Sequence, residues 1–548
     1  MYYKDIFKIV GIIFFFFAIS LIFPLLLSIY YQFYAEAKSH PQPHATFAFL
    51  GSLAVCLAIG YIFYFIGRKS EGNLYRREAI FTVVAVWVLI PAAASLPYLL
   101  SGTLRDPLQA YFESVSGFTT TGATTFFPKK INLATGQEEL IEYTVKGVHD
   151  TTYRFYGTID PVIEKETGAV LFTGVEAVSK AILFWRSFTQ WLGGMGIIVL
   201  FVAVLPALGF GGRQLIHAEM PGPVKDSLTP RIKETALNLW KIYTGFTLLE
   251  IFLLVYNKMP LFDAVNTAFS TLSTGGFSVR NESISSYNNH VINWIVILFM
   301  FIGSVNFSIY FYALKGKFFR LFDRELLIYA ALYVVSIGLG TWFLVGTPKA
   351  LLNGSIEGFY GLSDALRDSA FQIISAQTTT GFSTANFNLW PYSVQVIMII
   401  VMYFGGMAGS TAGGIKIVRL DMLFRAAQYK VESLFRPEAV RIFRIGETPV
   451  VDAALVRVLT FFLVVVSFAS LGTLLLTFDG LDPETAFSCV ACMINNIGLA
   501  FRAAGPLESF AFMSDFALAL SSLLMIMGRL EFLAFLAVLV PAFWKQTI

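Results

Sequence analysis

Four short stretches of this chain set hydroxyl or amide residues against a glycine, and the intervals behind each glycine repeat. They read Thr120-Thr121-Gly122-Ala123, Thr274-Gly275-Gly276-Phe277, Thr379-Thr380-Gly381-Phe382 and Asn495-Asn496-Ile497-Gly498-Leu499, the polar part of the last offset by one residue. Twelve residues before the glycine stands Ala110, Ala264, Ser369 or Ala486, and six before it stands Ser116, Ser270, Ser375 or Cys492. A helix with small residues at such intervals can lie close against its neighbours. The glycine that follows admits backbone angles closed to other residues, so successive carbonyls can be turned one way. Four carbonyl hairpins around one axis make a ring of oxygens able to replace the water around a monovalent cation. A neutral main-chain oxygen suits that task because it holds the ion less tightly than a carboxylate would. The ring is assigned to Thr120, Thr121, Gly122, Thr274, Gly275, Gly276, Thr379, Thr380, Gly381, Asn496, Ile497 and Gly498, whose hydroxyl and amide groups add oxygens or brace the bends. Each copy has a single key glycine, which predicts fewer ordered oxygen rings and some passage of rubidium and sodium.

Two further features bear on the same axis. Gly405, Gly406, Gly409, Ser410, Thr411, Gly413 and Gly414 interrupt an apolar span that begins near Pro391. Each interior glycine costs a helix about 0.5–1 kcal/mol relative to alanine, and unwound backbone at membrane depth persists only where it is buried or lines a cavity. The run predicts a movable loop below the ring, a gate; a rigid kink is the alternative. Its order is not that of a phosphate-binding loop. Arg529 falls in the middle of the last apolar span, where a charge must face a wet cavity or a partner. It is read as a positive charge near the ion path that meters cations, with a structural ion pair as the other option. Glu531 is a poor partner for it, since residues two apart on a helix face differently. Lys416 is expected to snorkel to the headgroups.

The elements that must position these residues follow from composition. The chain is 56% hydrophobic and only 14% charged over 548 residues, against about 25% charged in soluble domains, and its mean hydropathy is +0.67. Runs of membrane-crossing length place spans at approximately 7–30, 46–67, 79–101, 182–207, 236–257, 292–314, 326–346, 391–412, 452–478 and 511–543. Shorter apolar segments at 107–118, 261–272, 366–377 and 483–494 lead into the four glycines. Each is half a crossing, as a re-entrant pore helix would be, and Pro107 and Pro483 suit a first helical turn. The fold class is therefore an all-α polytopic membrane protein. Two leading spans precede four helix–pore-helix–helix repeats around one central pore, about ten spans and four re-entrant helices in all.

The chain divides into 1–70, a leading pair; 71–212, a first repeat carrying an external insertion at 126–178; 213–318, a second; 319–430, a third with the loop 405–414; and 431–548, a fourth. The insertion, polar and rich in Thr, Glu and Tyr, reads as a small strand-containing cap. The first span is longer than a signal core and is expected to be retained. Lys and Arg collect in alternate connections (Arg68, Lys69, Arg76 and Arg77; Arg213, Lys225, Arg231 and Lys233; Lys315, Lys317, Arg320 and Arg324; Lys416 to Arg444), which places those loops and both termini in the cytoplasm and brings every re-entrant segment in from outside. The basic stretch 416–449, with Lys430, Arg436, Pro437, Arg441 and Arg444, reads either as a solvated loop or as a dock for a cytosolic partner or anionic lipid. Cys56, Cys489 and Cys492 read as buried thiols, and the histidines His40, His44, His149, His217 and His290 form no metal motif.

At these residues the chain resembles the Trk/Ktr/HKT superfamily of potassium transporters, and its bacterial TrkH branch in particular. The resemblance spans the chain from the first pore segment onward. It rests on Ser116-Gly117-Phe118-Thr119-Thr120-Thr121-Gly122-Ala123, Ser273-Thr274-Gly275-Gly276-Phe277, Gln377-Thr378-Thr379-Thr380-Gly381-Phe382 and Asn495-Asn496-Ile497-Gly498. It rests also on the run from Gly405 to Lys416 and on Gly528-Arg529-Leu530-Glu531. The long insertion after the first tetrad does not map onto the family pattern. The family implies a homodimer in the bacterial inner membrane, with one pore per subunit, gated by a cytosolic nucleotide-binding, TrkA-like ring. It also implies potassium as the transported substrate, no organic cofactor and no nucleic-acid partner. The expected function is potassium uptake driven by the membrane potential. A broken-helix secondary transporter that couples sodium or proton to solute uptake is the alternative, and it would call for inverted repeats. An enzyme would need a clustered catalytic constellation, and the sequence offers none.

Overall fold

A computed structural model describes residues 2–35, 40–70, 75–132, 136–146, 150–164, 167–196, 232–319, 323–352, 355–436, 444–445, 448–449 and 452–545. The apolar runs fold into helices: α1 (Tyr3–Ser20), α2 (Ile22–Phe33), α3 (Thr46–Ile66), α4 (Arg76–Ala94) and α5 (Leu96–Leu100). There follow α6 (Pro107–Phe118), α7 (Lys180–Gly194), α8 (Ile232–Tyr256), α9 (Leu261–Leu272), α10 (His290–Ser304), α11 (Phe307–Leu314) and α12 (Arg324–Leu344). The rest are α13 (Leu362–Gln377), α14 (Tyr392–Tyr403), α15 (Ile417–Ser433), α16 (Asp452–Phe478), α17 (Pro483–Asn495), α18 (Asp515–Arg529), α19 (Leu533–Leu539) and α20 (Pro541–Trp544).

Among the described residues six stretches are long and apolar enough to cross a bilayer: Tyr3–Phe33, Thr46–Ile66, Arg77–Leu100, Ala236–Tyr256, Arg324–Leu344 and Leu455–Phe478. Each coincides with an expected span. Two other spans, drawn as continuous at 292–314 and 511–543, are bent: α10 meets α11 at 96° and α18 meets α19 at 115°. The first break occurs where the Asn306 side chain caps α11, accepting from the Ser308 N–H at 2.9 Å. At the second, Glu531 and Phe532 take φ of 54° and 57°, left-handed angles that no helix continues through. The span expected at 391–412 is helical only as α14 and then unwinds.

Four shorter helices lie between the spans. α6, α9, α13 and α17 run for 12, 12, 16 and 13 residues. Their starts are built by local chemistry: the Asp106 carboxylate accepts from the Leu108 N–H at 3.1 Å, and Asp482 accepts from the Thr485 N–H at 3.0 Å, each ahead of a first-turn proline. Each short helix packs on the helices flanking it in sequence and also on one from the repeat before. α9 meets α7, α13 meets α10, α17 meets α14, and α6 closes the circle on α18. The small residues expected on their faces, Ala110, Ala264, Ser369 and Ala486, are all fully buried, and Ser369 Oγ donates to the Ile337 carbonyl of α12 at 3.3 Å.

The described residues of 126–178 carry three two-stranded antiparallel ribbons: β1 (Lys130–Ile131) with β2 (Glu138–Glu139), β3 (Ile141–Val145) with β4 (Thr151–Phe155), and β5 (Val162–Ile163) with β6 (Val170–Phe172). This cap is tied to the fourth short helix. The Tyr153 hydroxyl donates to the Asp482 carboxylate at 2.7 Å and accepts from the Asp482 N–H at 2.9 Å. Further ribbons are formed by β7 (Pro348–Ala350) with β8 (Ile356–Phe359) and by β9 (Arg444–Ile445) with β10 (Thr448–Pro449). The end of the span at 182–207, the boundary at 212, and Arg213, Lys225, Arg231, Pro437 and Arg441 lie outside the described residues. Cys56, Cys489 and Cys492 are buried free thiols.

Candidate cation filter

Each short helix ends in the same backbone figure. The residue two before the key glycine is left-handed, with φ of 56° at Thr120, 54° at Thr274, 59° at Thr379 and 55° at Asn496. The glycines follow at 82° (Gly122), 78° (Gly276), 89° (Gly381) and 78° (Gly498). Left-handed residues alternating with an ordinary one turn successive carbonyls toward one side, and three of these residues are β-branched threonines, which resist such angles at a cost of about 1–3 kcal/mol each. The intervening N–H pins the bend to the helix. Thr121, Gly275, Thr380 and Ile497 donate to the carbonyls of Ser116, Ser270, Ser375 and Cys492 at 2.9, 2.8, 2.9 and 3.1 Å. The hairpin doubles back onto that position, where the sequence has only Ser or Cys. Asn496 occupies the register of the three threonines, so the apparent offset of the fourth tetrad vanishes in space.

The hairpins meet one another in order. A Cβ added to Gly122 would fall on the Gly275 carbonyl oxygen, one on Gly276 would strike that of Thr380, one on Gly381 that of Ile497, and one on Gly498 that of Thr121. Each glycine thus abuts the main-chain oxygen of the next copy, and the fourth returns to the first. The result is a closed ring. Its hydroxyls mostly brace: Thr119 and Thr121 pair through their Oγ1 atoms at 2.8 Å, as Thr378 and Thr380 do at 2.7 Å. The Asn496 amide donates to Thr121 Oγ1 at 3.0 Å across the seam between the first and fourth copies.

Behind the ring lie residues that the sequence reading did not single out. Glu113 of α6 and Arg186 of α7 are buried and paired at 2.7 Å. The Glu113 carboxylate also accepts from the Thr125 N–H at 2.9 Å, and Arg186 donates to the Ser278 carbonyl at 3.2 Å, between the rings of Phe126 and Phe277. Gln190, one turn further along α7, donates from Nε2 to the Gly275 carbonyl at 2.6 Å and accepts from the Phe277 N–H at 3.1 Å. Ser488 accepts from the Phe501 N–H at 3.1 Å in the fourth copy. The rule applied to Arg529, that an intramembrane charge marks a site, would have found Arg186 and Glu113. It would also have found Glu250, buried in α8. Gln190 carries no comparable signal.

The glycine run is irregular, as expected. It is pinched at its base, where Gly405 N–H donates to the Ile415 carbonyl at 3.1 Å and Ile415 N–H to that of Tyr403 at 3.2 Å. The Glu325 carboxylate holds both shoulders, accepting from the N–H groups of Ala408 at 3.0 Å and Val418 at 3.3 Å. The tip lies against the hairpins. Thr411 Oγ1 donates toward the carbonyls of Leu272 at 3.0 Å and Gly303 at 2.9 Å, and Gly413 N–H donates to Thr379 Oγ1 at 2.8 Å. Gly409 and Gly414 take φ of 79° and 69°, which makes the reversal feasible. A Cβ added to Gly406 would meet Ala412 and the Ser304 carbonyl, and Ser410 Oγ donates to the Met407 carbonyl at 2.7 Å.

Arg529 joins the parts. One guanidinium nitrogen donates to Thr120 Oγ1 at 3.2 Å and to the Thr411 carbonyl at 2.9 Å, and the other to the carbonyls of Gly193 at 2.7 Å and Gly194 at 3.1 Å. Glu531 pairs with Arg419 instead. Lys416 corrects the expectation of snorkelling: its ammonium folds back onto the Ala412 carbonyl within the loop.

Comparison with known proteins bears on the whole chain. The family model described as "TrkH: Cation transport protein" matches residues 164–545. The Trk system potassium uptake protein TrkH of Salmonella typhimurium is 32% identical over 556 aligned residues, covering 100% of each chain. The Trk system potassium uptake protein TrkG of Escherichia coli is 29% identical, covering 98% of this chain and 97% of that one. The crystal structure of the potassium transporter TrkH from Vibrio parahaemolyticus superposes with a TM-score of 0.78 at 29% identity, covering 100% of both chains.

Proposed function

The chain belongs to the TrkH family of cation transport proteins, and from that premise we propose that it takes up potassium through the ring of hairpin carbonyls. The single observation that carries this reading is the closed contact order of the four glycines, each against the oxygen of the next copy. Oxygens in such a ring replace the hydration shell of an entering ion. The membrane potential then draws the ion inward at about 2.3 kcal/mol per charge per 100 mV. Residues 405–414 act as the gate: their tip hydrogen-bonds the inner side of the hairpins at Thr379 and the end of α9 at Leu272. Arg529 serves as latch and barrier together, its cation set at the ring and its donors on the Thr411 carbonyl.

The protein sits in the bacterial inner membrane with both termini in the cytoplasm, a reading that rests on the alternation of basic loops. It works as a homodimer under a cytosolic nucleotide-binding ring, in line with the relatives' names as components of a Trk system. Rubidium uptake into liposomes holding the purified protein tests the pore: Gly381→Ser or Gly122→Ser abolishes passive flux. Undiminished flux with intact selectivity would reject the assignment.

A further inference from the structure

The second hairpin departs from the other three at one position. Just before the key glycine stand Thr121, Thr380 and Ile497 in the first, third and fourth copies, but Gly275 in the second. The absence of a side chain there is not forced by the backbone, since Gly275 is not among the residues with positive φ. It is forced by a neighbour. A Cβ on Gly275 would run into the amide carbon, oxygen and nitrogen of Gln190.

That amide fills the place a side chain takes in the other copies, and it arrives from α7. Its orientation is fixed by its partners. A carbonyl oxygen needs a donor and an N–H needs an acceptor, so Nε2 faces Gly275 at 2.6 Å and Oε1 faces Phe277 at 3.1 Å. Gln190 is fully buried. One turn earlier, Arg186 grips the Ser278 carbonyl and is itself locked by Glu113, so α7 cannot slide to release the amide.

We propose that Gln190 is a specificity-determining residue of the pore: its amide stands in for the side chain missing at Gly275 and holds one quadrant of the oxygen ring through the Gly275 carbonyl itself. The Gly275 oxygen is the one that Gly122 abuts, so it belongs to the ring and not to the outer wall. An oxygen that already accepts a short hydrogen bond offers less electron density to a passing cation, and the donor's partial positive charge lies on the same line. The ring therefore has three stronger quadrants and one weaker quadrant. A weaker field favours the larger, more easily dehydrated alkali ion, so Gln190 biases the ring toward potassium and against sodium. This rests on the reading of the hairpins as the filter.

The test uses the full-length protein in liposomes, with sodium-to-potassium permeability ratios taken from reversal potentials. Gln190→Glu keeps the size and the acceptor for Phe277 but removes the donor and adds negative charge. The ratio is expected to rise about tenfold, the change that one hydrogen bond of this kind carries. Gly275→Thr collides with Gln190 and is expected to lose flux, while Gln190→Ala with Gly275→Thr rebuilds a threonine hairpin and is expected to regain it. A merely structural role would not shift the ratio in a variant that still conducts. An unchanged ratio in Gln190→Glu, a Gly275→Thr protein that conducts as the parent does, or a double variant no better than the worse single would each overturn the proposal. If Gly381→Ser still abolishes flux in that event, only the role of Gln190 falls; if it does not, the pore reading falls as well.

Discussion

Gly276 and Gly346 share a φ of 78°, and this coincidence separates backbone strain from ring geometry. Around the Cβ position of Gly346 there is open space, whereas that of Gly276 lies well inside van der Waals contact with the Thr380 carbonyl oxygen. Alanine at either site meets the same left-handed penalty of about 1–2 kcal/mol. Gly346→Ala should show that loss in thermal unfolding and nothing else: rubidium uptake and sodium discrimination stay at the parent level. Gly276→Ala must also push the Thr380 oxygen or its own hairpin aside. Overpacking of this kind costs about 1–3 kcal/mol. If that strain is borne by the ion-bound ring, occupancy falls by about 5- to 150-fold. Rubidium uptake into liposomes at a fixed potential reads the flux, and competition by sodium reads the discrimination. A Gly276→Ala protein indistinguishable from Gly346→Ala in both would refute the ring, because the two differ in little except what the new methyl meets.

Other outcomes follow from contacts already described. Arg529→Gln gives up the charge-assisted hydrogen bond to the Thr411 carbonyl, worth about 1.5–3 kcal/mol, and should raise flux about tenfold or more; slower flux in a folded protein would count against the latch. Glu113→Gln leaves Arg186 buried without its anion and should destabilise by about 3–5 kcal/mol, and Glu113→Leu with Arg186→Met should recover much of that loss; denaturation in detergent measures both. Tyr153→Phe unpins the strand-containing cap from Asp482 and should cost about 1 kcal/mol. Burial and then the hydrogen bond to Asp482 raise the Tyr153 pKa. The stability it adds is therefore full below about pH 10, the ordinary phenol value, and is lost as pH climbs beyond it. The gap between parent and Tyr153→Phe should narrow there, and a gap that widened would be contrary.

Much of the arrangement was legible because a bilayer leaves few options. The six long spans and the four short helices appear within a few residues of their expected bounds, since apolar length and proline-led starts carry that information directly. The key glycines were legible because the left-handed angle at each excludes other residues. The bends at Asn306 and Glu531 were not, because hydropathy averages over a break made by a single cap or a pair of left-handed residues. The register of Asn496 was obscured by counting polar residues instead of counting from the glycine. Gln190 could not be found at all. Its partner is a main-chain carbonyl 85 residues away, and nothing in composition or periodicity encodes such a pairing. Lys416 was misplaced because length and charge allow snorkelling, while the nearby Ala412 carbonyl offers a closer acceptor.

The seam between the first and last hairpins has a consequence for biogenesis. Asn496 reaches Thr121 across 375 residues of chain, and Gly498 closes on the Thr121 oxygen. A nascent polypeptide that has inserted three quarters of its copies is an arc with a missing wall, unable to strip water from an ion. Synthesis must pass Gly498 before a conduit exists, so products truncated ahead of it should be electrically silent in the membrane and not leaky.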